Sequence, residues 1–325
     1  MGGDHGLRFS LPAAVNSLQH FPYLHIILVG DADRIRAELP LPPARLSIVD
    51  AAQVVEMSDR PAQAMRKKQQ SSMRIAINLL AEQQVDAVVS AGNTGALMAI
   101  GSLVLKTLPG IDRPAIAASV PARNGRCLLL DLGANVDCDA EQLRQFALMG
   151  SALVVAEGIP NPRVGLLNIG TESGKGNELV KAAADLLSRE ANINYCGFIE
   201  GDTLFRGGAD VVVCDGFAGN IALKVCEGTA SLIAKKLREH FTRNVLARIA
   251  GIFAAPVLRA LYRELDPQQY NGACLLGLRG VVVKSHGNSS IIGFESSIAR
   301  AVNAVEKNLL GAIARYSETK LEEQK

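Results

Sequence analysis

The chain is expected to fold as an α/β protein, a three-layer α/β/α sandwich around a largely parallel sheet, with one helical hairpin protruding. Three observations predict this. Short runs rich in Val, Ile and Leu recur along the chain and alternate with helical patterns. Several runs are continuous rather than alternating, as in Val211-Val212-Val213-Cys214, which suits strands covered on both faces. From Lys235 to Tyr262 the rhythm stops, and apolar residues recur at helical spacing with no strand signal.

Strands are expected at His25–Val29, Asp86–Ser90, Ala115–Val120, Cys127–Asp131, Arg163–Asn168, Asp210–Cys214 and Gly280–Lys284. Helices fill the intervals. Pro61 suits the first turn of one, with Arg66, Lys67, Lys68 and Arg74 on its polar side. Asp139 and Gln142 have the spacing of a capping box ahead of Leu143–Met149. In the segment from Lys235, Val245, Leu246, Ile249, Ile252, Phe253, Val257 and Leu261 form one stripe. Six basic residues (Lys235, Lys236, Arg238, Arg243, Arg248 and Arg259) flank it, opposed by Glu239 alone. Gly251 and Pro256 interrupt the stripe, so a helix–turn–helix hairpin is expected rather than one rod. The expected organisation is therefore a catalytic core from 1–234 and 270–325, with an amphipathic hairpin at 235–269.

Composition narrows the function. The 325 residues carry 34 basic and 32 acidic side chains, a net charge of +2, which is too balanced for nucleic-acid binding by bulk charge. Aromatics are 4% and Trp is absent, which argues against base-stacking platforms. The six cysteines include no C-x-x-C pair and lack nearby histidines, so they read as reduced thiols and not as a zinc site. No leader pattern opens the chain and no run of about 18 apolar residues crosses it, so a cytoplasmic location is expected, at most with attachment to a membrane surface.

The chemistry is expected at strand-to-helix junctions. VVSAGNTGAL (88–97), GLLNIGTESGKGNEL (165–179) and VVVCDGFAGNIALK (211–224) each join an apolar strand to a helix through a Gly/Asn loop. Leu128–Asp131 runs into LGANVD, and another strand ends in Lys284-Ser285-His286-Gly287. Glycines let backbone amides approach an anion, and helix N-termini add favourable field, so a phosphate-type ligand is indicated. GTESGKG (170–176) is not a P-loop: three residues separate its first glycines, and Gly176 stands where Ser or Thr would bind magnesium. No G-x-S-x-G elbow appears. Lys175, between two glycines, is the leading anion contact. Asn93, Asn135 and Asn220 are either ligands or caps, Asp131, Asp137 and Asp215 are expected to orient loops, and His286 is either a site residue or a structural histidine.

MGGDHG (1–6), SSMR (71–74), VSAGNTGALM (89–98), LPGIDRPA (108–115), LDLGANVDC (130–138), NPRVGLLNIG (161–170), KGNE (175–178), VVVCDGFAGNIALK (211–224) and YNGACLLGLRGVVVKSHG (270–287) occur in this order. Together they closely resemble the acyl-(acyl carrier protein):phosphate acyltransferase family (PlsX) of bacterial phospholipid synthesis, across nearly the whole chain. The resemblance implies transfer of a long-chain acyl group from acyl carrier protein to inorganic phosphate, giving an acyl phosphate for a membrane glycerol-3-phosphate acyltransferase. It also implies a fold like phosphate acetyltransferases and isopropylmalate-type dehydrogenases, a homodimer, no cofactor or metal, and peripheral membrane attachment through 235–262. Carried onto the KGNE and DGFxGN motifs of this chain, the resemblance singles out Lys175 and Asn220. With His286 these are the catalytic candidates, and Asp4, Asn93, Thr94, Asn135, Asp215 and Lys284 are the substrate-binding ones.

Phosphate is itself an oxyanion nucleophile, so direct attack on the thioester needs no covalent acyl-enzyme. Arg66, Lys67, Lys68 and Arg74 are the expected docking face for the acidic carrier. Family members carry a short strand ending in D-x-M-G-G-D, and this chain begins at that methionine, so the loop at 1–6 is expected to lack its strand. A short-chain phosphotransacetylase using coenzyme A, or an inactive carrier-binding scaffold, are the competing readings.

Overall fold

The computed structural model describes residues 2–4, 6–123, 125–265 and 267–315. The chain opens with α1 (Leu7–His20), then β1 (Ile26–Gly30), α2 (Ala32–Glu38) and β2 (Leu46–Asp50). β1 and β2 pair in parallel as a separate small sheet. Next come α3 (Pro61–Lys67), α4 (Ser72–Ala81), β3 (Ala87–Ser90), α5 (Thr94–Val104), β4 (Ala115–Ala122) and β5 (Gly125–Leu130). α6 (Ala140–Ala156), β6 (Arg163–Leu167), α7 (Glu178–Ser188), β7 (Asn194–Ile199) and β8 (Val211–Val213) follow. The last elements are α8 (Gly216–Thr242), α9 (Val245–Leu265), β9 (Ala273–Leu276), β10 (Val281–Lys284) and α10 (Ile291–Glu306).

Eight strands form the main sheet in the order β3-β10-β9-β4-β5-β8-β6-β7. It consists of two parallel blocks of opposite direction. β3 and β10 run together, as do β5, β8, β6 and β7, while antiparallel pairings of β9 and β4 join the blocks. The carboxyl ends of the two blocks therefore point opposite ways, and the glycine loops do not all gather at one edge. Both faces are buried, as the continuous apolar runs predict. On β5, Leu128 and Leu130 enter one core while Cys127 and Leu129 enter the other, and Val211/Val213 and Val212 on β8 divide in the same way.

Short polar caps start the helices. Asp31, Ser71, Asn93, Asn177, Asp215 and Ser290 each accept a backbone N–H of the first turn of the helix that follows. The capping box of α6 is present in both halves, Gln142 N–H to Asp139 Oδ1 at 2.8 Å and Asp139 N–H to Gln142 Oε1 at 3.1 Å.

The helical hairpin exists but turns elsewhere than expected. The break lies at Arg243-Asn244, where Asn244 Oδ1 accepts the Ala247 N–H at 2.8 Å, and Gly251 and Pro256 sit inside α9. Gly251 lets α9 approach α8, since a Cβ there would stand 3.1 Å from the Phe241 ring. α8 is unbroken from Gly216 to Thr242, so the arm grows directly out of the core and position 235 falls mid-helix. Val245, Leu246, Ile249, Ile252, Phe253 and Val257 are all exposed on α9. The side chain of Leu261 lies outside the described residues, as do Met1 and His5 of the opening loop.

Candidate functional site

A buried carboxylate organises the first half of the site. Asp131, fully buried at the end of β5, accepts Ile116 N–H (2.9 Å) and Ala134 N–H (3.1 Å) on Oδ1, and Asn135 N–H (2.6 Å) and Asn135 Nδ2 (3.0 Å) on Oδ2. Burial raises its pKa against the pull of these donors. Asn135 also donates from Nδ2 to the Pro114 carbonyl (2.9 Å), and its own carbonyl accepts Gly216 N–H (2.7 Å). Asp215 caps α8 through Ala218 N–H at 2.7 Å. A Cβ on Gly219 would stand 1.9 Å from the Asp131 carbonyl oxygen, so the start of α8 is seated directly on this loop. Asn135 and Asp215 thus work as loop and cap residues that shape the α8 entrance.

From that entrance one face of α8 is polar. Asn220, Lys224 and Glu227 stand at i, i+4 and i+7, one above the other. Asn220 Nδ2 donates to the Leu132 carbonyl at 2.9 Å and lies over Gly133. Lys224 Nζ donates to Glu227 Oε2 at 2.9 Å, and Glu227 Oε1 lies 3.1 Å from His286 Nε2. Burial pushes the Glu227 carboxyl up, but the hydrogen bonds from His286 and Lys224 outweigh it and hold it at about 2. Asn220 and His286, candidates on different elements, are therefore joined along a single helix face. Lys224 and Glu227 were not singled out from the sequence, although their spacing from Asn220 was visible.

The opposite wall is the carboxyl end of β10 and β3. Lys284 is 8% exposed and donates from Nζ to the Ser285 carbonyl. Burial lowers its pKa from 10.5 to about 8, with Asp4 opposing that shift and Lys224 adding to it. Asp4 N–H donates to the Gly287 carbonyl at 2.9 Å, and Gly2 lies against Gly92 just past β3, so the opening loop packs on this wall. Asn93 is buried and its side chain is committed: Oδ1 accepts Ala96 N–H (3.0 Å), while Nδ2 reaches the carbonyls of Met57 (2.9 Å) and Asp59 (3.0 Å). It fixes the α5 N-terminus, and the amides of Thr94 and Gly95 have no partner among the described residues. What this junction offers an anion is therefore backbone, not the Asn93 amide.

Lys175 stands apart. It is exposed in the loop after β6, its ammonium has no partner among the described residues, and no described contact links it to Lys284, Asn93 or Asn220. Asn168 holds that loop through the carbonyls of Gly170 (3.1 Å) and Lys175 (3.2 Å). In the basic group expected to dock a carrier, Lys68 is not free. It pairs with Asp59 at 2.6 Å and donates to the Val54 carbonyl at 2.7 Å, which leaves Arg66 and Lys67 as the exposed members on α3. All six thiols have raised pKa values, led in each case by burial, with Cys127 and Cys138 at about 12. A thiolate nucleophile is therefore not poised here.

The fold is that of the phosphotransacetylases. Those of Streptococcus pyogenes (TM-score 0.62, 17% identity, 94% of this chain and 92% of that one) and Staphylococcus aureus (EutD; TM-score 0.60, 18% identity, 91% and 90%) superpose over almost their whole length. The chain also matches the family described as fatty acid synthesis protein over residues 1–311. Phosphate acyltransferases of Pseudomonas syringae pv. syringae and Methylococcus capsulatus are 52% and 54% identical over 313 and 312 residues, covering 95% and 94% of this chain and 92% of each relative. The chain belongs to this phosphate acyltransferase family and is an enzyme of the transferase class.

Proposed function

We propose that the enzyme moves a long-chain fatty acyl group from the phosphopantetheine thiol of acyl carrier protein to inorganic phosphate, forming an acyl phosphate for glycerophospholipid synthesis. The observation that carries this is the two-sided character of α8. On its polar face Lys224 and Glu227 turn toward Lys284 and His286, with Asn220 a turn earlier over the Leu132 carbonyl, while Phe217, Ile221 and Val225 run exposed beside it. An anion and an alkyl chain are thereby served by adjacent stripes of one helix.

Lys284, cationic below about pH 8, holds phosphate together with Lys224 and the free amides at the α5 N-terminus. Fixing phosphate against the thioester carbonyl supplies roughly 7–11 kcal/mol of the barrier reduction. One donor aimed at the tetrahedral oxyanion, a role that suits Asn220, adds about 3–4 kcal/mol. The attacking oxygen forms the C–O bond, the C–S bond breaks, and the carrier thiol leaves without an acyl-enzyme.

Arg66 and Lys67 are the docking cations for the acidic carrier. The exposed α9 stripe, with Arg243, Arg248 and Arg259 beside it, rests on an anionic membrane surface, where a membrane glycerol-3-phosphate acyltransferase takes the product. Among the described residues no helix is long and apolar enough to cross a membrane. A homodimer completes the reading, with exposed apolar residues of α8, Leu232 and Ile233, available to pair copies.

The test is turnover of palmitoyl-carrier with phosphate, followed by release of carrier thiol and by the ³¹P signal of acyl phosphate, beside acetyl-coenzyme A. Phosphate-dependent release from palmitoyl-carrier, much faster than from acetyl-coenzyme A, is expected. Preference for acetyl-coenzyme A, or carrier binding without turnover, would overturn the reading.

A further inference from the structure

We propose that Glu227 and His286 form a proton-relay pair for this transfer, Glu227 being the positioning residue that presents the Nδ1 edge of His286 to the cleft. The inference rests on the acyl transfer to phosphate proposed above.

The geometry that supports it is specific. Glu227 Oε1 takes the His286 Nε2 side at 3.1 Å, and Glu227 Oε2 takes Lys224 Nζ at 2.9 Å, so both carboxylate oxygens are engaged. Nδ1 has no partner among the described residues, and the histidine side chain is 38% exposed. The backbone of His286 is held by a separate device. Its N–H donates to Asn271 Oδ1 at 3.1 Å, and its carbonyl accepts the Ser289 hydroxyl at 2.8 Å. Asn271 is buried, and its Nδ2 meets the hydroxyls of Ser285 (2.9 Å) and Ser289 (2.7 Å). This buried amide–hydroxyl network fixes the peptide and leaves the ring to Glu227 alone. The charged groups around the pair are Lys224 on the same helix, Lys284 at the end of β10 and Asp4 in the opening loop.

With Nε2–H donating to the carboxylate, Nδ1 carries the lone pair. When an oxygen of hydrogen phosphate attacks the thioester carbonyl carbon, a C–O bond forms and the C–S electron pair leaves with sulfur. The phosphate hydroxyl proton passes to Nδ1 and then to the departing thiolate. His286 ends neutral, Glu227 stays anionic throughout, and the products are acyl phosphate and free thiol. A carboxylate behind an imidazole fixes its tautomer and stabilises the transient imidazolium.

The test combines Glu227→Ala, Glu227→Gln, His286→Ala and the Glu227→Ala/His286→Ala double variant in the full chain, with palmitoyl-carrier and phosphate. The expected loss is about 10-fold in kcat for either alanine variant, modest because a thiolate leaves readily, with little change in the KM for phosphate. The double variant should be no slower than the slower single one. Glu227→Gln, which keeps an acceptor at Nε2, should recover part of the loss and serves if Glu227→Ala does not fold. ¹⁵N spectra of the histidine ring should show Nε2–H in the wild type and a tautomer mixture in Glu227→Ala. Additive losses in the double variant, or an unchanged tautomer and kcat in Glu227→Ala, would overturn the relay. Absence of acyl phosphate from the wild type would instead remove the functional reading and the relay with it, a result separable because the wild type is assayed first.

Discussion

The burial that sets the Lys284 ammonium against the bound anion also makes its charge costly to the fold. The residue is 8% exposed, and burial lowers its pKa from 10.5 to about 8. At about 1.4 kcal/mol per pH unit, the charged form is disfavoured in the folded state by about 3 kcal/mol. The folded pKa lies below the unfolded one. Between pH 8 and 10.5 the unfolded chain therefore binds more protons, and stability rises with pH across that window. Lys284→Met keeps the stem and removes the charge, so at pH 7 it should recover most of the 3 kcal/mol. Losing the hydrogen bond to the Ser285 carbonyl returns about 1 kcal/mol, which leaves a net gain of about 2 kcal/mol. Urea denaturation at pH 7 and near pH 10 measures it. The variant should be more stable than wild type at pH 7, lose that advantage near pH 10, and be severely impaired in phosphate-dependent turnover. A variant less stable at pH 7, or a stability difference that does not change with pH, would show that burial does not penalise the Lys284 charge.

Three further outcomes follow from other parts of the molecule. Gly219→Ala drives a Cβ to 1.9 Å from the Asp131 carbonyl and should cost more than about 3 kcal/mol in urea unfolding, whereas Gly228→Ala, on the same helix with open space, should gain about 0.5–1 kcal/mol. Replacing Ile252 and Phe253 with Asp, both well exposed on α9, should abolish co-sedimentation with anionic vesicles while sparing turnover of soluble substrate. Reversing Arg66 and Lys67 to Glu should raise the KM for acyl carrier protein without changing that for phosphate, and unchanged kinetics would reject the α3 face.

The strands most legible in the sequence were those buried on both faces, because a continuous apolar run is itself the signature of that burial. Arg163–Leu167, Val211–Val213 and Val281–Lys284 lie within a residue of expectation at each end. Leu46–Asp50 and Asn194–Ile199 were missed because Ser47 and Asp50, or Asn194 and Gly197, dilute the run, and Ala273–Leu276 because four residues carry little pattern. The reversal of direction within the sheet was less visible still, since burial says nothing about polarity. Its local trace was the short interval between the apolar runs of β4 and β5, which pair antiparallel from Ala117↔Leu130 to Ala122↔Gly125. At the arm, Gly251 and Pro256 are the visible breakers, but Asn244 as a cap sets the turn. The caps and glycines of the site could be read locally. The Glu227–His286 contact could not, because nothing in either segment encodes their meeting; α8 must first be seated on Asp131 before its fourth turn reaches the loop after β10.

If phosphate itself attacks the thioester, release of the carrier thiol must depend on phosphate from the first turnover onward. Wild-type enzyme is mixed with palmitoyl-carrier labelled in the acyl chain, first without phosphate and then with increasing phosphate, while free thiol and protein-bound label are followed through the first turnover. No thiol release and no labelled protein are expected until phosphate is present, then release that saturates with phosphate and matches acyl phosphate formed. A stoichiometric burst of thiol with label on the protein in the absence of phosphate would contradict direct attack by phosphate, and would make one of the buried cysteines or another side chain a covalent nucleophile.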